Sequence, residues 1–186
     1  MKLLIIGGTG FFGKSILDSF VCGRLKKFQI SQLIILSRST DKFQILYPEF
    51  VSPNIKYING NISIIDYLPE ADIIINAATS SNQINYINDS SKEKKNTEDG
   101  VSNYIKLAKK FHKNSKIVYC SSGAVYGNQP SNVLNMAENF PFQDLGNMTT
   151  LKRDYALSKR NAEKQILKAG EDGLNVSIAR CFTFYG

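Results

Sequence analysis

The stretch Leu3-Leu4-Ile5-Ile6-Gly7-Gly8-Thr9-Gly10-Phe11-Phe12-Gly13 joins four aliphatic residues to glycines spaced three apart. A short buried strand that ends in such glycines and continues as a helix is suited to binding phosphate. The glycines allow a tight turn and let backbone N–H groups approach a pyrophosphate, whose charge is favoured by the positive end of the following helix. This stretch therefore predicts a strand, a phosphate-binding turn and a helix.

Length and composition indicate one globular domain over residues 1–186, since 42% of the residues are hydrophobic. The three cysteines lie far apart and form no Cys-x-x-Cys pair, so neither a metal site nor a disulfide framework is expected. A reducing cytoplasm is the simplest compartment for such a chain. The first apolar run is broken at Gly7, which makes it too short for a signal peptide or a membrane span, and no membrane partner is expected.

The net charge of +7 comes mostly from lysines on candidate helices. Few aromatic residues accompany these lysines, which is typical of a solvated helix face, so nucleic acid is not an expected partner. A basic surface would also attract phosphorylated ligands. The only histidine, His112, is predicted to be exposed at a lysine-rich helix end, which argues against a Ser-His-Asp triad.

Short aliphatic runs alternate with segments of helical periodicity along the chain. Uninterrupted aliphatic strands favour a parallel sheet covered on both faces, so we predict an α/β fold with a Rossmann-type doubly wound parallel sheet. The polar segment from Ser80 to Asn96 is predicted to be a loop that leads into the second helix. The predicted strands are 3–6, 33–36, 55–58, 72–76, 116–120 and 174–179, and the predicted helices are 15–27, 101–111 and 150–169.

The second strand ends in Ser37-Arg38-Ser39, where a fold selective for NAD usually places an acidic residue against the ribose. An arginine flanked by two hydroxyls suits a 2′-phosphate, so this segment favours NADP over NAD as cofactor. The alternative is a solvated arginine at a strand end.

Candidate catalytic residues follow the fifth strand and lie on the last helix. In a parallel sheet the carboxyl ends of the strands share one edge, which places Ser122 on the same edge as the glycine turn. Tyr155 and Lys159 are one helical turn apart and point the same way. An ammonium near a phenol favours the phenolate and would suit Tyr155 to proton transfer. The alternative is a partly buried helix tyrosine whose neighbouring lysine reaches water.

The combination resembles a known family, the extended short-chain dehydrogenase/reductases, and within it the NAD-dependent epimerase/dehydratase group that acts on nucleotide-sugars. The resemblance extends over nearly the whole chain, in family order. Its motifs are Gly7-x-x-Gly10-x-x-Gly13, Ser121-Ser122-x-x-Val125-Tyr126-Gly127, Glu138-Asn139-Phe140-Pro141, Tyr155-x-x-x-Lys159 and Arg180-x-Phe182-x-x-Tyr185-Gly186.

The resemblance implies an enzyme in which Tyr155 is the general acid/base for a sugar hydroxyl while hydride moves to or from the nicotinamide. Lys159 would lower the pKa of Tyr155 and bind the nicotinamide ribose, and Ser122 would orient the reacting oxygen. A nucleotide-sugar substrate and a homodimer formed by helices 101–111 and 150–169 are also implied. The expected cofactor-binding residues are Gly7, Thr9, Gly10, Phe11, Phe12, Gly13, Ser37, Arg38, Asn61, Ile62, Ala77, Ala78, Asn96, Tyr155 and Lys159.

Several positions depart from the family pattern. Asn61 stands where many members have an Asp that contacts adenine, and Cys181 and Thr183 stand where many have Pro and Asn. Family members continue beyond Gly186 into a substrate-binding part, so we expect residues 1–186 to be the N-terminal fragment of a longer enzyme. The alternative function is a non-catalytic NADP-binding module that senses redox state or holds a partner protein.

Overall fold

The computed structural model describes residues 1–79 and 83–182, with only the backbone described for residues 83–85. Of the predicted features, Ser80 and the positions Thr183, Tyr185 and Gly186 lie outside the described residues.

Within the described residues, six parallel strands form one sheet in the order β3-β2-β1-β4-β5-β6. The order reverses between β1 and β4, which is the doubly wound arrangement that binds ligands at the carboxyl ends of the strands. The predicted fold is confirmed. The strands are β1 (Lys2–Ile6), β2 (Gln32–Ser37), β3 (Ile55–Asn59), β4 (Ile73–Asn76), β5 (Lys116–Ser122) and β6 (Asn175–Cys181).

Both faces of the sheet are buried at its centre, which explains the uninterrupted aliphatic runs of β1 and β2. Alternate residues of β1 point to opposite faces: Leu4 and Ile6 belong to one core cluster, and Leu3 and Ile5 to another. All four side chains are at most 3% exposed, so each contributes its full apolar area to the folded state.

In the part of the chain that the structure describes, four α-helices connect the strands: α1 (Phe11–Val21), α2 (Thr40–Leu46), α3 (Gln83–Phe111) and α4 (Thr150–Glu171). The prediction of a first helix over 15–27 is wrong at both ends. The helix begins directly after the glycine turn, with Gly10 as its N-cap, and it ends before Gly23, whose φ of 74° does not continue a helix. Helix α2 was not predicted, because seven residues are too few to show a clear period.

The prediction of a loop from Ser80 to Asn96 is also wrong for the described residues, since α3 already begins at Gln83. The helix is broken once, at Asp89, which has φ −159° and ψ 85°. The Asp89 carboxylate accepts the backbone N–H of Lys92 at 2.9 Å and so caps the longer second part of α3. A polar stretch that contains its own cap is thereby accommodated in a helix.

His112 is fully buried, so its predicted exposure is wrong. Its Nε2 lies 3.0 Å from the carbonyl oxygen of Pro69, and because a carbonyl only accepts, Nε2 carries the proton. Burial lowers the pKa of His112. The neighbouring Lys110 and Lys113 are exposed to solvent, whereas the chain before β4 covers the imidazole of His112.

Candidate functional site

The glycine turn lies between the end of β1 and the start of α1. Gly7 has φ 83°, and a Cβ there would lie 2.9 Å from the backbone of Ala78. A Cβ at Gly13 would lie 1.9 Å from the carbonyl oxygen of Gly8, so α1 packs directly on the turn. No side chain in the described ranges caps α1, and its first turn has no acidic residue. This N-terminus fits a pyrophosphate bound by backbone N–H groups.

A cleft of about 930 Å³ extends from the glycine turn to both sides along the carboxyl edge of the sheet. Its size is in the range of pockets that hold small-molecule ligands. Of the predicted site residues only Gly13 does not line it, because its role is packing of the helix on the turn. The cleft is lined by the predicted residues Gly7, Thr9, Gly10, Phe11, Phe12, Ser37, Arg38, Asn61, Ile62, Ala77, Ala78, Asn96, Ser122, Tyr155 and Lys159.

At one end of the cleft, polar side chains follow β2 and β3. The hydroxyls of Thr9 and Ser37 are hydrogen-bonded at 2.6 Å, which links the glycine turn to the end of β2. Arg38 follows and is exposed at the wall of the cleft. Asn61 accepts the backbone N–H of Ser63 at 3.1 Å, so its carboxamide is held in place by its own turn.

At the other end, Ser122 is the last residue of β5 and Tyr155 lies on α4. Burial raises the pKa of the Tyr155 phenol, and the nearby Ser122 hydroxyl opposes that rise. The Ser122 hydroxyl also accepts the backbone N–H of Ala124 at 3.2 Å, which fixes its orientation. The phenol and the serine hydroxyl therefore line the same end of the cleft.

Lys159 is 1% exposed, and its Nζ donates to the carbonyl oxygen of Cys120 at 3.0 Å. The ammonium also lies 5.1 Å from the centre of the Tyr119 ring. Burial lowers the pKa of Lys159 to about 8. The charge of Lys159 is thus directed at β5, and the lowering of the Tyr155 pKa by Lys159 stays a prediction.

Several residues that line the cleft were not predicted. Cys120 and Cys181 lie on the neighbouring strands β5 and β6, and burial raises the pKa of Cys120 to about 11. Ser121 is 5% exposed and its hydroxyl has no hydrogen-bond partner among the described residues. Glu93 and Thr97 of α3 complete this wall. No spacing rule points to them, because their position depends on how α3 and β6 pack beside β5.

Two arginines fix the long connection between β5 and α4. Arg180 donates to the hydroxyl of Tyr126 at 2.8 Å and pairs with the buried carboxylate of Glu163 at 2.8 Å. Arg160 donates to the carbonyl of Gln143 at 2.7 Å. The ring of Phe142 lies near both guanidinium groups, at 4.8 and 5.1 Å. These contacts hold the connection against the end of the sheet that carries Ser122.

Other kinds of site are not found within the described parts of the chain. No group of three or more His, Cys, Asp or Glu residues there is arranged to hold a metal ion. None of the described helices is long and apolar enough to cross a membrane.

Solved structures with this fold include nucleotide-sugar enzymes. DesIV, a dTDP-glucose 4,6-dehydratase from Streptomyces venezuelae solved with NAD and TYD, aligns with TM-score 0.82 at 24% identity, over 100% of this chain and 57% of its own. A UDP-N-acetylglucosamine 4-epimerase from Methanobrevibacter ruminantium aligns with TM-score 0.73 at 20% identity, over 96% of this chain and 54% of its own. The dTDP-glucose 4,6-dehydratase from Bacillus anthracis, in complex with NAD, aligns with TM-score 0.71 at 21% identity, over 100% of this chain and 56% of its own. At these identities the likeness shows the fold, and the chain spans little more than half of each structure.

Among curated proteins none matches the sequence significantly. Residues 3–186, almost the whole chain, do match the model of the NAD dependent epimerase/dehydratase family. This match confirms the family resemblance seen in the glycine turn, the serine after β5 and the Tyr-x-x-x-Lys pair. The chain belongs to the NAD-dependent epimerase/dehydratase family.

Proposed function

We propose that this chain is the cofactor-binding and catalytic part of an NAD(P)-dependent enzyme that epimerises, dehydrates or reduces a nucleotide-sugar, with Tyr155 as general acid/base. The observation that carries the proposal is the single cleft that joins the glycine turn to Ser122, Tyr155 and Lys159. The family match supports the dependence on NAD. The solved relatives that act on dTDP- and UDP-sugars support the substrate class.

The residues of the cleft have separate roles in the proposed reaction. A nicotinamide cofactor held at the glycine turn would supply or accept the hydride. The Tyr155 phenol gives a proton to the sugar oxygen, or takes it when the reaction runs towards the ketone. Ser122 donates to the same oxygen and stabilises negative charge on it. Lys159, fixed by its bond to Cys120, adds a positive charge one helical turn from the phenol.

The catalytic proposal is tested with the full reading frame that encodes these residues, assayed on UDP-, GDP- and dTDP-sugars with either nicotinamide cofactor. Tyr155→Phe is expected to lower kcat by about 10²–10⁴-fold, the usual contribution of a general acid/base. Tyr67→Phe is the matched control, because Tyr67 is 57% exposed and lies outside this cleft. Equal turnover by the wild type and Tyr155→Phe would refute the mechanism. Cofactor binding without any turnover would favour the non-catalytic NADP-binding module instead.

We further propose NADP as the preferred cofactor, because Arg38 and Ser37 replace the acidic residue expected for NAD at the end of β2. Arg38→Ala is expected to weaken NADPH binding about 10–100-fold, the worth of a charge-assisted hydrogen bond of about 1.5–3 kcal/mol, and to change NADH binding little. Lys42→Ala removes one exposed cation of the neighbouring α2 and controls for net charge. Equal losses for NADPH and NADH would exclude Arg38 as the selecting residue.

We also propose a cytoplasmic homodimer. The three cysteines are free thiols, which suits a reducing compartment. Helices α3 and α4 pack side by side through polar pairs, Ser102 with Gln165 and Glu98 with Asn161, each at 2.7 Å. Their outer faces would form the dimer contact, and sedimentation of the intact protein tests it. A monomer at micromolar concentration would contradict this part of the proposal.

A further inference from the structure

We infer that Tyr86 is a positioning residue that sets the orientation of Tyr155, an inference that rests on the proposed role of Tyr155 as acid/base. Tyr86 is 4% exposed and lies in the first part of α3. Its ring meets the ring of Tyr155 edge to face, with centroids 5.5 Å apart and an interplanar angle of 86°. This is a preferred geometry for two aromatic rings, and it restricts rotation of both.

The break in α3 is what brings Tyr86 to this place. Asp89 interrupts the helix between Tyr86 and Ser90, and the Ser90 hydroxyl donates to the carboxylate of Asp154. Residues on both sides of the break therefore contact adjacent residues of α4, Asp154 and Tyr155. Two separate contacts fix the turn of α4 that presents the phenol to the cleft.

Tyr86 acts through Tyr155 because it does not itself line the cleft. Its hydroxyl is buried beside Ser158 of α4 and Thr97 of α3. The titratable groups that face the two phenols are Glu93 of α3, Tyr119 of β5 and Cys181 of β6, with Lys159 one turn along α4. A side chain smaller than Tyr86 would open this packed contact, so that Tyr155 gains alternative rotamers and contact with water.

The test uses two variants of Tyr86 in the full protein. Tyr86→Leu removes the ring, whereas Tyr86→Phe keeps the ring and removes only the hydroxyl. Tyr67→Leu is the matched control, since Tyr67 makes a similar edge-to-face contact, with Phe111 at 5.1 Å, away from the cleft. Thermal unfolding of every variant shows whether it folds.

The first readout needs no substrate. The protein is labelled with 3-fluorotyrosine, and the ¹⁹F resonance of Tyr155 is assigned from its loss in Tyr155→Phe. We expect Tyr86→Leu to shift and broaden this resonance, and Tyr86→Phe and Tyr67→Leu to leave it close to the wild-type position. A Tyr155 resonance that is unchanged in Tyr86→Leu would overturn the inference. So would a resonance that moves equally in Tyr86→Leu and Tyr86→Phe, since the hydroxyl would then be responsible.

The second readout is turnover of the nucleotide-sugar and its pH profile. We expect Tyr86→Leu to lower kcat about 10–100-fold, as a misplaced catalytic group does, with KM within about threefold because binding contacts are kept. The pH at which kcat changes should also move in Tyr86→Leu and stay in Tyr67→Leu. A kcat and pH profile equal to those of the wild type would overturn the inference. If the wild type turns over no nucleotide-sugar, the proposed function fails, and the ¹⁹F experiment still decides whether Tyr86 orients Tyr155.

Discussion

Replacement of Gly7 by alanine tests the proposed phosphate-binding turn most directly, because two separable effects act at this position. Alanine in the left-handed region costs about 1–2 kcal/mol, and Gly7 has φ 83°. The new Cβ would also lie 2.9 Å from backbone atoms of Ala78, on the neighbouring strand connection. Such overpacking lowers the stability of the folded state by about a further 1–3 kcal/mol. We therefore expect Gly7→Ala to lower the free energy of unfolding by about 2–5 kcal/mol.

Gly173 provides the matched control. Its φ is 100°, and a Cβ there would meet nothing within 4 Å, so Gly173→Ala has only the conformational cost of about 1–2 kcal/mol. Gly173 follows α4, outside the residues that line the cleft. The difference between the two variants is thus the effect of the contact between the glycine turn and Ala78.

The assay combines urea unfolding with NADPH titration. The chain has no tryptophan, so tyrosine emission and far-UV circular dichroism follow unfolding, and nicotinamide emission follows binding. We expect Gly7→Ala to raise the Kd for NADPH at least about 10-fold, a loss of about 1.4 kcal/mol, because the turn moves away from the pyrophosphate. Gly173→Ala should bind as the wild type does. If Gly7→Ala matched Gly173→Ala in both stability and Kd, the assignment of this turn to the cofactor would be refuted.

Two further predictions concern buried charge. Glu163→Gln should lower the free energy of unfolding by about 2–4 kcal/mol, since it leaves Arg180 without its buried carboxylate. Glu171→Gln is the control: Glu171 is in an exposed pair with Lys168, so this variant should have no measurable effect in urea unfolding. Equal losses of unfolding free energy in the two variants would contradict this account. In the folded chain His112 has a pKa below its ordinary 6.5. As the pH falls below 6.5, the unfolded state therefore binds more protons at this residue than the folded state does. Stability should fall as the pH drops below 6.5, by at most about 1.4 kcal/mol per pH unit, and His112→Gln should remove this slope; an unchanged slope would show that other groups cause it.

The central strands could be predicted from the sequence because β1 and β2 are aliphatic runs buried on both faces, as Leu3–Ile6 shows. Once the strands and the glycine turn are placed, the carboxyl edge of the sheet follows from the parallel order. That is why Ser122, Tyr155 and Arg38 were expected at one edge, and they do line one cleft.

The helices were harder to predict because their ends depend on local caps and on neighbours. The start of α1 is set by the glycine turn, and α3 contains a capped break at Asp89 within a polar segment. The burial of His112 depends on the carbonyl of Pro69, far away in sequence. The contact between Tyr86 and Tyr155 depends on the break in α3, so no spacing rule gives it.

The electrostatics of the cleft bear on the direction in which the proposed chemistry is favoured. Burial opposes the charged form of both groups of the Tyr-x-x-x-Lys pair: it raises the pKa of Tyr155 and lowers that of Lys159 to about 8. At neutral pH the phenol is therefore protonated and is prepared to give a proton, as reduction of a ketone requires. Oxidation of a sugar hydroxyl requires the phenolate, which burial disfavours and the nearby Ser122 hydroxyl favours. In the proposed mechanism, Ser122 and the contacts that orient Tyr155 would therefore set how readily the cleft works in both directions, which an epimerase needs and a one-way reductase does not.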